Sequence, residues 1–174
     1  MHVRLAAISD AESLARLLRT YLDEGFPGHV GSTADELRRD VLGATGHQHV
    51  LLVEQHGTPI GFLAWDEVYD MHWAMRGAQN ADLYVTPSGR GLGAALPLIA
   101  CACREVWATG GAFLRGGAYD RPSTRTFFSR VAVVAPSGDT NLSGRAFRSL
   151  AQLEESSVRG LLQHLPLFEW NLEP

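Results

Sequence analysis

Ala81-Asp82-Leu83-Tyr84-Val85-Thr86-Pro87-Ser88-Gly89-Arg90-Gly91-Leu92-Gly93-Ala94-Ala95-Leu96 passes from a β-prone run, through a glycine-rich turn, into residues that begin a helix. Residues 83–85 favour a strand, and Pro87 ends it because proline has no N–H to give to a sheet ladder. Gly89, Gly91 and Gly93 open backbone conformations closed to other residues and leave no side chain over the turn. A helix N-terminus carries unpaired N–H groups and a partial positive charge, so a glycine-rich entry into one suits a phosphate. Arg90 adds a fixed positive charge with several donors. The combination predicts an anion cradle over residues 90–95, against the plainer alternative of a tight turn.

Two common phosphate loops do not fit. The dinucleotide fingerprint needs a third glycine where Leu96 stands, and the loop of nucleotide hydrolases needs a Gly-Lys-Ser/Thr that is absent. A nucleic-acid partner is not expected either, because the net charge is −4 and no run of Lys or Arg occurs. With 174 residues, 45% of them hydrophobic and 20% charged, the chain reads as one globular domain over residues 1–174. The apolar run at 94–103 is interrupted by Pro97 and falls short of the roughly 20 residues of a bilayer span, so a soluble cytoplasmic protein without membrane contact is expected. Cys101 and Cys103 lie two apart in a predicted helix, a spacing for neither a disulfide nor zinc, and read as packing residues.

Outward from the glycine turn, residues 2–8 read as a strand, and Ser9 with Glu12 as a capping box for a helix that ends at Gly25. Ser32, Thr33 and Glu36 predict a second capped helix with Leu37, Val41 and Leu42 on its apolar face. Residues 49–54 and 59–65 form a hairpin pattern across 55–58. His47, His49 and His56 lack a carboxylate or cysteine at ligand spacing, so they read as strand or surface residues and no metal is expected. Residues 66–79 have too little periodicity to assign. With Trp65 they join acid (Asp66, Glu67, Asp70) to aromatic surface (Tyr69, Trp73), a wall suited to a cationic amine.

Beyond the turn, residues 96–108 continue the helix, 112–115 predict a strand, 121–128 a short helix opened by Pro122, and 131–135 another strand. Residues 136–174 depart from this rhythm. They comprise a loop at 136–141, helical spacing over 145–164 and a closing strand at 167–172. This atypical extension is expected to cover the sheet edge or to pair with a second copy in a homodimer.

This order of elements resembles the GNAT superfamily of acyl-CoA-dependent N-acyltransferases. The specific match is to that family's Q/R-x-x-G-x-G/A motif, here Arg90-Gly91-Leu92-Gly93-Ala94-Ala95, preceded by Asp82-Leu83-Tyr84-Val85. The resemblance covers roughly residues 2–135. It implies an α/β fold with a central mixed, mostly antiparallel sheet flanked by helices, to which this chain adds an extra C-terminal helix. It also implies that the turn holds the diphosphate of acetyl-CoA, that the strand end at Tyr84 and Val85 pairs with the pantetheine arm, and that an amine attacks the thioester directly.

The chain departs from the family at three places. Relatives carry a Tyr as general acid after the fifth strand, where this chain has Phe127 or Phe128; Tyr119 is the nearby substitute. Some relatives place Glu early on the fourth strand, where only Asp82 stands here, so Asp82, Glu54 and Asp66 are the candidate proton acceptors. Pro97 near the start of the third helix removes a donor and implies a late or irregular first turn. The function implied is transfer of an acetyl group from acetyl-CoA to a small, cationic amine. Transfer to a protein or peptide amine and non-catalytic acyl-CoA binding are the alternatives.

Overall fold

The computed structural model describes residues 1–117, 122–154 and 157–172. Its elements are β1 (His2–Leu5), α1 (Ala11–Gly25), α2 (Ala34–Glu36), β2 (Gln48–Gln55), β3 (Thr58–Asp70), β4 (Met75–Val85) and α3 (Ala95–Ala108). These are followed by β5 (Leu114–Gly117), α4 (Pro122–Val131), β6 (Val133–Val134), β7 (Asp139–Leu142), α5 (Gly144–Ala151) and α6 (Val158–Leu161). The strands are ordered β1-β2-β3-β4-β5-β7-β6. Antiparallel pairing joins β1 to β2, β2 to β3, β5 to β7 and β6 to β7, whereas β4 and β5 are parallel. The result is the mixed, mostly antiparallel sheet with flanking helices that the sequence implies.

The chain divides into two units, residues 1–66 with 82–98, and residues 67–81 with 99–174. In the first, Leu14 and Leu17 of α1 pack with Leu37, with Val50 and Leu52 of β2, Phe62 and Ala64 of β3, and Tyr84 of β4. Leu51, Val53, Leu63 and Trp65, of the opposite strand parity, are buried as well, so β2 and β3 are covered on both faces and read as unbroken apolar runs. Their turn at His56 and Gly57 has φ values of +51° and +76°. Two left-handed residues make the tight hairpin whose twist matches its strands.

Thr33 caps α2 as expected: its Oγ1 accepts the N–H of Glu36, whose carboxylate accepts the N–H of Thr33. The capping box expected at Ser9 and Glu12 does not form. Asp10 stands at the start of α1 instead, and its carboxylate accepts the Ala7 N–H at 2.7 Å and both guanidinium nitrogens Nη1 and Nη2 of Arg4 at 2.7 and 2.9 Å. An ion pair competes here with the cap.

Residues 66–79, which the sequence does not assign, are strand up to Asp70 and again from Met75. Asp70 closes the intervening turn, Oδ1 accepting the N–H groups of His72 and Trp73 while Oδ2 accepts Arg115 Nη1 at 2.6 Å. That guanidinium also lies 4.2 Å from the Phe113 ring centroid. The region from residue 136 is not a peripheral cover. β7 lies between β5 and β6, pairing with both, where a loop was expected. The expected closing strand is a 3₁₀ segment, Phe168–Leu172. It docks through Asn171, whose Oδ1 accepts the Ser143 N–H at 2.6 Å while Nδ2 donates to the carbonyls of Val131, Leu167 and Phe168. The alternation of a short polar strand such as Asp139-Thr140-Asn141-Leu142 is too weak to announce itself, and its partners β5 and β6 supply the pairing.

Candidate functional site

The glycine turn leaves β4 through a bond from the Thr86 N–H to the Ile60 carbonyl, 2.9 Å. The Gly89 and Arg90 N–H groups then fold back to the Thr86 carbonyl at 2.9 and 3.0 Å, and the Leu92 N–H reaches the Gly89 carbonyl. Gly91 and Gly93 have φ of +78° and +77°, and a Cβ on either would meet nothing within 4 Å. Their conformation therefore requires glycine, and the space above them is open. Among the described residues, nothing accepts the N–H groups of Gly91, Gly93 or Ala94. These donors stand directly before α3, whose own first-turn N–H groups lack intrahelical partners. The set is a concave array of backbone donors at the positive end of a helix dipole, which suits an anion.

Pro97 does not delay this helix. α3 begins at Ala95, so Pro97 is its third residue, where its missing N–H would have had no intrahelical acceptor.

Arg90 is placed differently from the sequence expectation of a charge aimed at the phosphate. Its Nε donates to the Val85 carbonyl at 3.0 Å and its Nη2 to Glu24 Oε2 at 2.6 Å, with the guanidinium carbon 5.7 Å from the Tyr84 ring centroid. Glu24 Oε1 in turn accepts the Tyr84 hydroxyl at 2.7 Å. Arg90 therefore braces the turn against α1, and the charge it brings is met by Glu24. Tyr84 itself is a core residue by its ring.

Glu24 and Tyr21 stand beside the candidate site through their bonds to Arg90, Tyr84 and Asp82, and the sequence alone does not single them out. The signal was available: Leu14, Leu17, Tyr21 and Glu24 recur at helical spacing, so the last two continue the buried stripe of α1 toward β4. The Tyr21 hydroxyl donates to Asp82 Oδ1 at 3.2 Å. The Tyr21 ring is packed against Phe26, Phe62 and Tyr84, with centroids 5.5, 5.9 and 5.6 Å away.

Asp82 keeps solvent-exposed surface, yet enough protein surrounds its carboxyl for desolvation to raise its pKa above the ordinary aspartate value. The Tyr21 hydrogen bond opposes that rise, and the charge of Asp66 adds to it. Asp66 is half-buried on β3, and together the two carboxylates give this part of the unit a negative field suited to an ammonium group.

Other expected site residues are placed elsewhere. Glu54 is engaged by Arg4, whose Nε and Nη2 donate to its Oε1 at 3.0 and 2.6 Å. It also lies six positions along β2 from Gln48, the partner of Asp66. At ~3.3 Å per residue that is about 20 Å. Trp65 is buried in the core, its ring stacked on that of His49 at 5.3 Å, and offers no surface to a ligand. Arg115 lowers the pKa of Asp70 from its ordinary value, with the two turn N–H groups assisting against desolvation, and the carboxylate serves the hairpin. Glu67, Tyr69 and Trp73 are exposed, so the expected wall is interrupted by strand alternation and by core packing. Phe127 and Phe128 are half-buried on α4 with their rings edge to face. Tyr119 lies outside the described residues. Burial pushes the Cys103 thiol far above its usual pKa, which leaves it unreactive. Among the described residues, no group of three or more His, Cys, Asp or Glu is placed to hold a metal ion, and no helix is long and apolar enough to cross a membrane.

A ribosomal-protein-alanine N-acetyltransferase from Brucella melitensis biovar Abortus 2308 superposes with a TM-score of 0.64 at 22% identity, over 78% of this chain and 94% of that one. The chain shares the fold of this N-acetyltransferase. An integron cassette protein from the mobile metagenome of V. cholerae superposes with a TM-score of 0.64 at 16% identity, over 87% and 98% of the two chains. An aminoglycoside acetyltransferase from an uncultured soil metagenomic sample, in complex with sisomicin, aligns at 0.58 and 14% identity over 72% and 84%. No protein-family model matches the sequence, and no curated protein matches it.

Proposed function

We propose that this chain, as a single catalytic domain over residues 1–174, is a cytoplasmic acetyl-CoA-dependent N-acetyltransferase acting on the primary amine of a small cationic molecule. The observation that carries the reading is the turn at Gly91 and Gly93, where left-handed glycines hold three N–H groups that have no protein acceptor among the described residues, just before α3. Those donors fit the diphosphate of CoA. When bound, acetyl-CoA supplies a thioester whose acetyl carbon accepts a neutral amine, with CoA thiolate as leaving group.

The chain's own part is to bind, orient and move a proton. Asp82 is the group we assign to take the proton from the acceptor ammonium, since desolvation raises its pKa and so makes its carboxylate a stronger base. Asp66 adds attraction for the cation. A thiol of pKa about 8.5 leaves without obligatory protonation, so Phe127 and Phe128 at the expected Tyr position are compatible with turnover. Tyr119 is the candidate proton donor on sequence grounds. The likeness to a ribosomal-protein-alanine N-acetyltransferase supports a second reading, transfer to a protein N-terminus.

Free-thiol release from acetyl-CoA, measured with the purified chain against an aminoglycoside, a polyamine, an amino-acid amide and an Ala-terminated peptide, tests both. Release with a cationic small amine is the expected result, and release with the peptide alone selects the second reading. No release above background with any amine overturns both.

A further inference from the structure

Tyr21 is restrained more tightly than a surface tyrosine. Phe26 and Phe62 meet its ring edge to face and Tyr84 at a tilt, so its two side-chain torsions are fixed by packing from the residue after α1, from β3 and from β4. The hydroxyl this cage aims at β4 ends on one oxygen of Asp82, Oδ1. Among the described residues Oδ2 receives no hydrogen bond. Asp82 and Tyr84 are two apart on β4 and share the face that α1 covers. The titratable groups facing Asp82 are Tyr21 from α1 and Asp66 from β3; further along, Glu24 and Arg90 neutralise one another beside Tyr84.

We infer that Tyr21 is a positioning residue for proton removal, its phenol fixing Oδ1 of Asp82 so that Oδ2 accepts the proton of the acceptor's ammonium group. The inference rests on the acyl-transfer reading above. In the step, one ammonium N–H bond breaks, its proton passes to Oδ2, and the nitrogen keeps the electron pair it uses to attack; the carboxylic acid then returns the proton to water. Without the phenol, the carboxylate loses its donor, rotates, and becomes a stronger base in the wrong orientation.

The test uses the full chain carrying ¹³C-labelled aspartate, with the Asp82 carboxyl signal assigned by its loss in Asp82→Asn. Tyr21→Phe keeps the ring in its cage and removes only the hydroxyl. It is expected to raise the Asp82 titration midpoint by about 0.5–1 pH unit. The acid limb of kcat/KM, measured with an amine that the acceptor panel identifies, should move in the same direction, with kcat reduced about tenfold or more. An unmoved Asp82 titration overturns the positioning role. A titration that moves while the acid limb stays overturns Asp82 as the proton acceptor and leaves acyl transfer intact. Absence of transfer by the unsubstituted protein with every amine removes the reaction, and the role with it, whatever the titration shows.

Discussion

Replacing Gly93 by Ala separates the strain of the glycine turn from its use as a cradle. Gly93 has φ of +77° and a Cβ there would touch no atom within 4 Å, so the substitution crowds nothing in the fold. Its cost is conformational, about 1–2 kcal/mol for an L-residue held in the left-handed region. For a chain of this length that lowers Tm by about 2–8 °C. Gly57, in the β2–β3 turn, supplies the control: its φ is +76° and its Cβ would likewise meet nothing within 4 Å. Gly57→Ala should therefore cost the same in Tm. The two variants should part in CoA binding, measured by isothermal titration calorimetry. A methyl at Gly93 stands in the open space over the turn and pulls N–H donors out of line, so affinity should fall at least tenfold. That is about 1.4 kcal/mol, the worth of one charge-assisted hydrogen bond. Gly57→Ala should leave CoA affinity within about twofold of the unsubstituted protein. Matched Tm losses with matched CoA affinities would refute the assignment of the turn to the diphosphate.

Glu54→Gln should leave kcat/KM unchanged while lowering Tm, because Glu54 serves Arg4 and not the acceptor; a loss of activity without loss of stability would return it to the list of bases. Arg4→Met should destabilise at pH 7, and the difference from the parent should shrink as pH falls. Arg4 holds the folded Asp10 carboxyl below its ordinary value. The stability this provides is therefore present above the unfolded pKa of about 3.9 and is lost as pH drops through the folded one. Urea melts at several pH values check this, and a constant difference down to pH 2 would contradict it. Asn171→Ala should cost about 2–3 kcal/mol, or a Tm loss of about 5–10 °C, by leaving the Ser143 N–H without its acceptor and removing the amide donor from the carbonyls of Val131, Leu167 and Phe168. Differential scanning calorimetry reads it directly, and a change below 1 °C would show that water replaces the amide.

The glycine turn could be read from sequence because its requirements are local. Pro87 ends a strand wherever it stands, and Gly91 and Gly93 supply the left-handed conformations themselves. Thr33 and Glu36 could be read as a cap for the same reason. The bond from Arg90 to Glu24 is not legible in the sequence because the two residues are 66 positions apart, and local sequence says only that a cation stands in the turn. Trp65 failed as a ligand contact on similar grounds: strand alternation and the ring of His49 take it into the core.

The division follows the range of the forces. Element type along most of the chain, the position of the turn and the start of α3 after it are set by propensity, proline and glycine geometry, all of which act within a few residues. Tertiary structure alone decided that β7 enters the sheet between β5 and β6, since a short polar strand becomes one only when neighbours offer a ladder. It also decided which carboxylate is the candidate base. Glu54 and Asp82 are the same kind of group in sequence; packing gives the first to Arg4 and the second to the hydroxyl of Tyr21 beside Asp66. Charge and desolvation depend on what is close in space, and no local pattern carries that information.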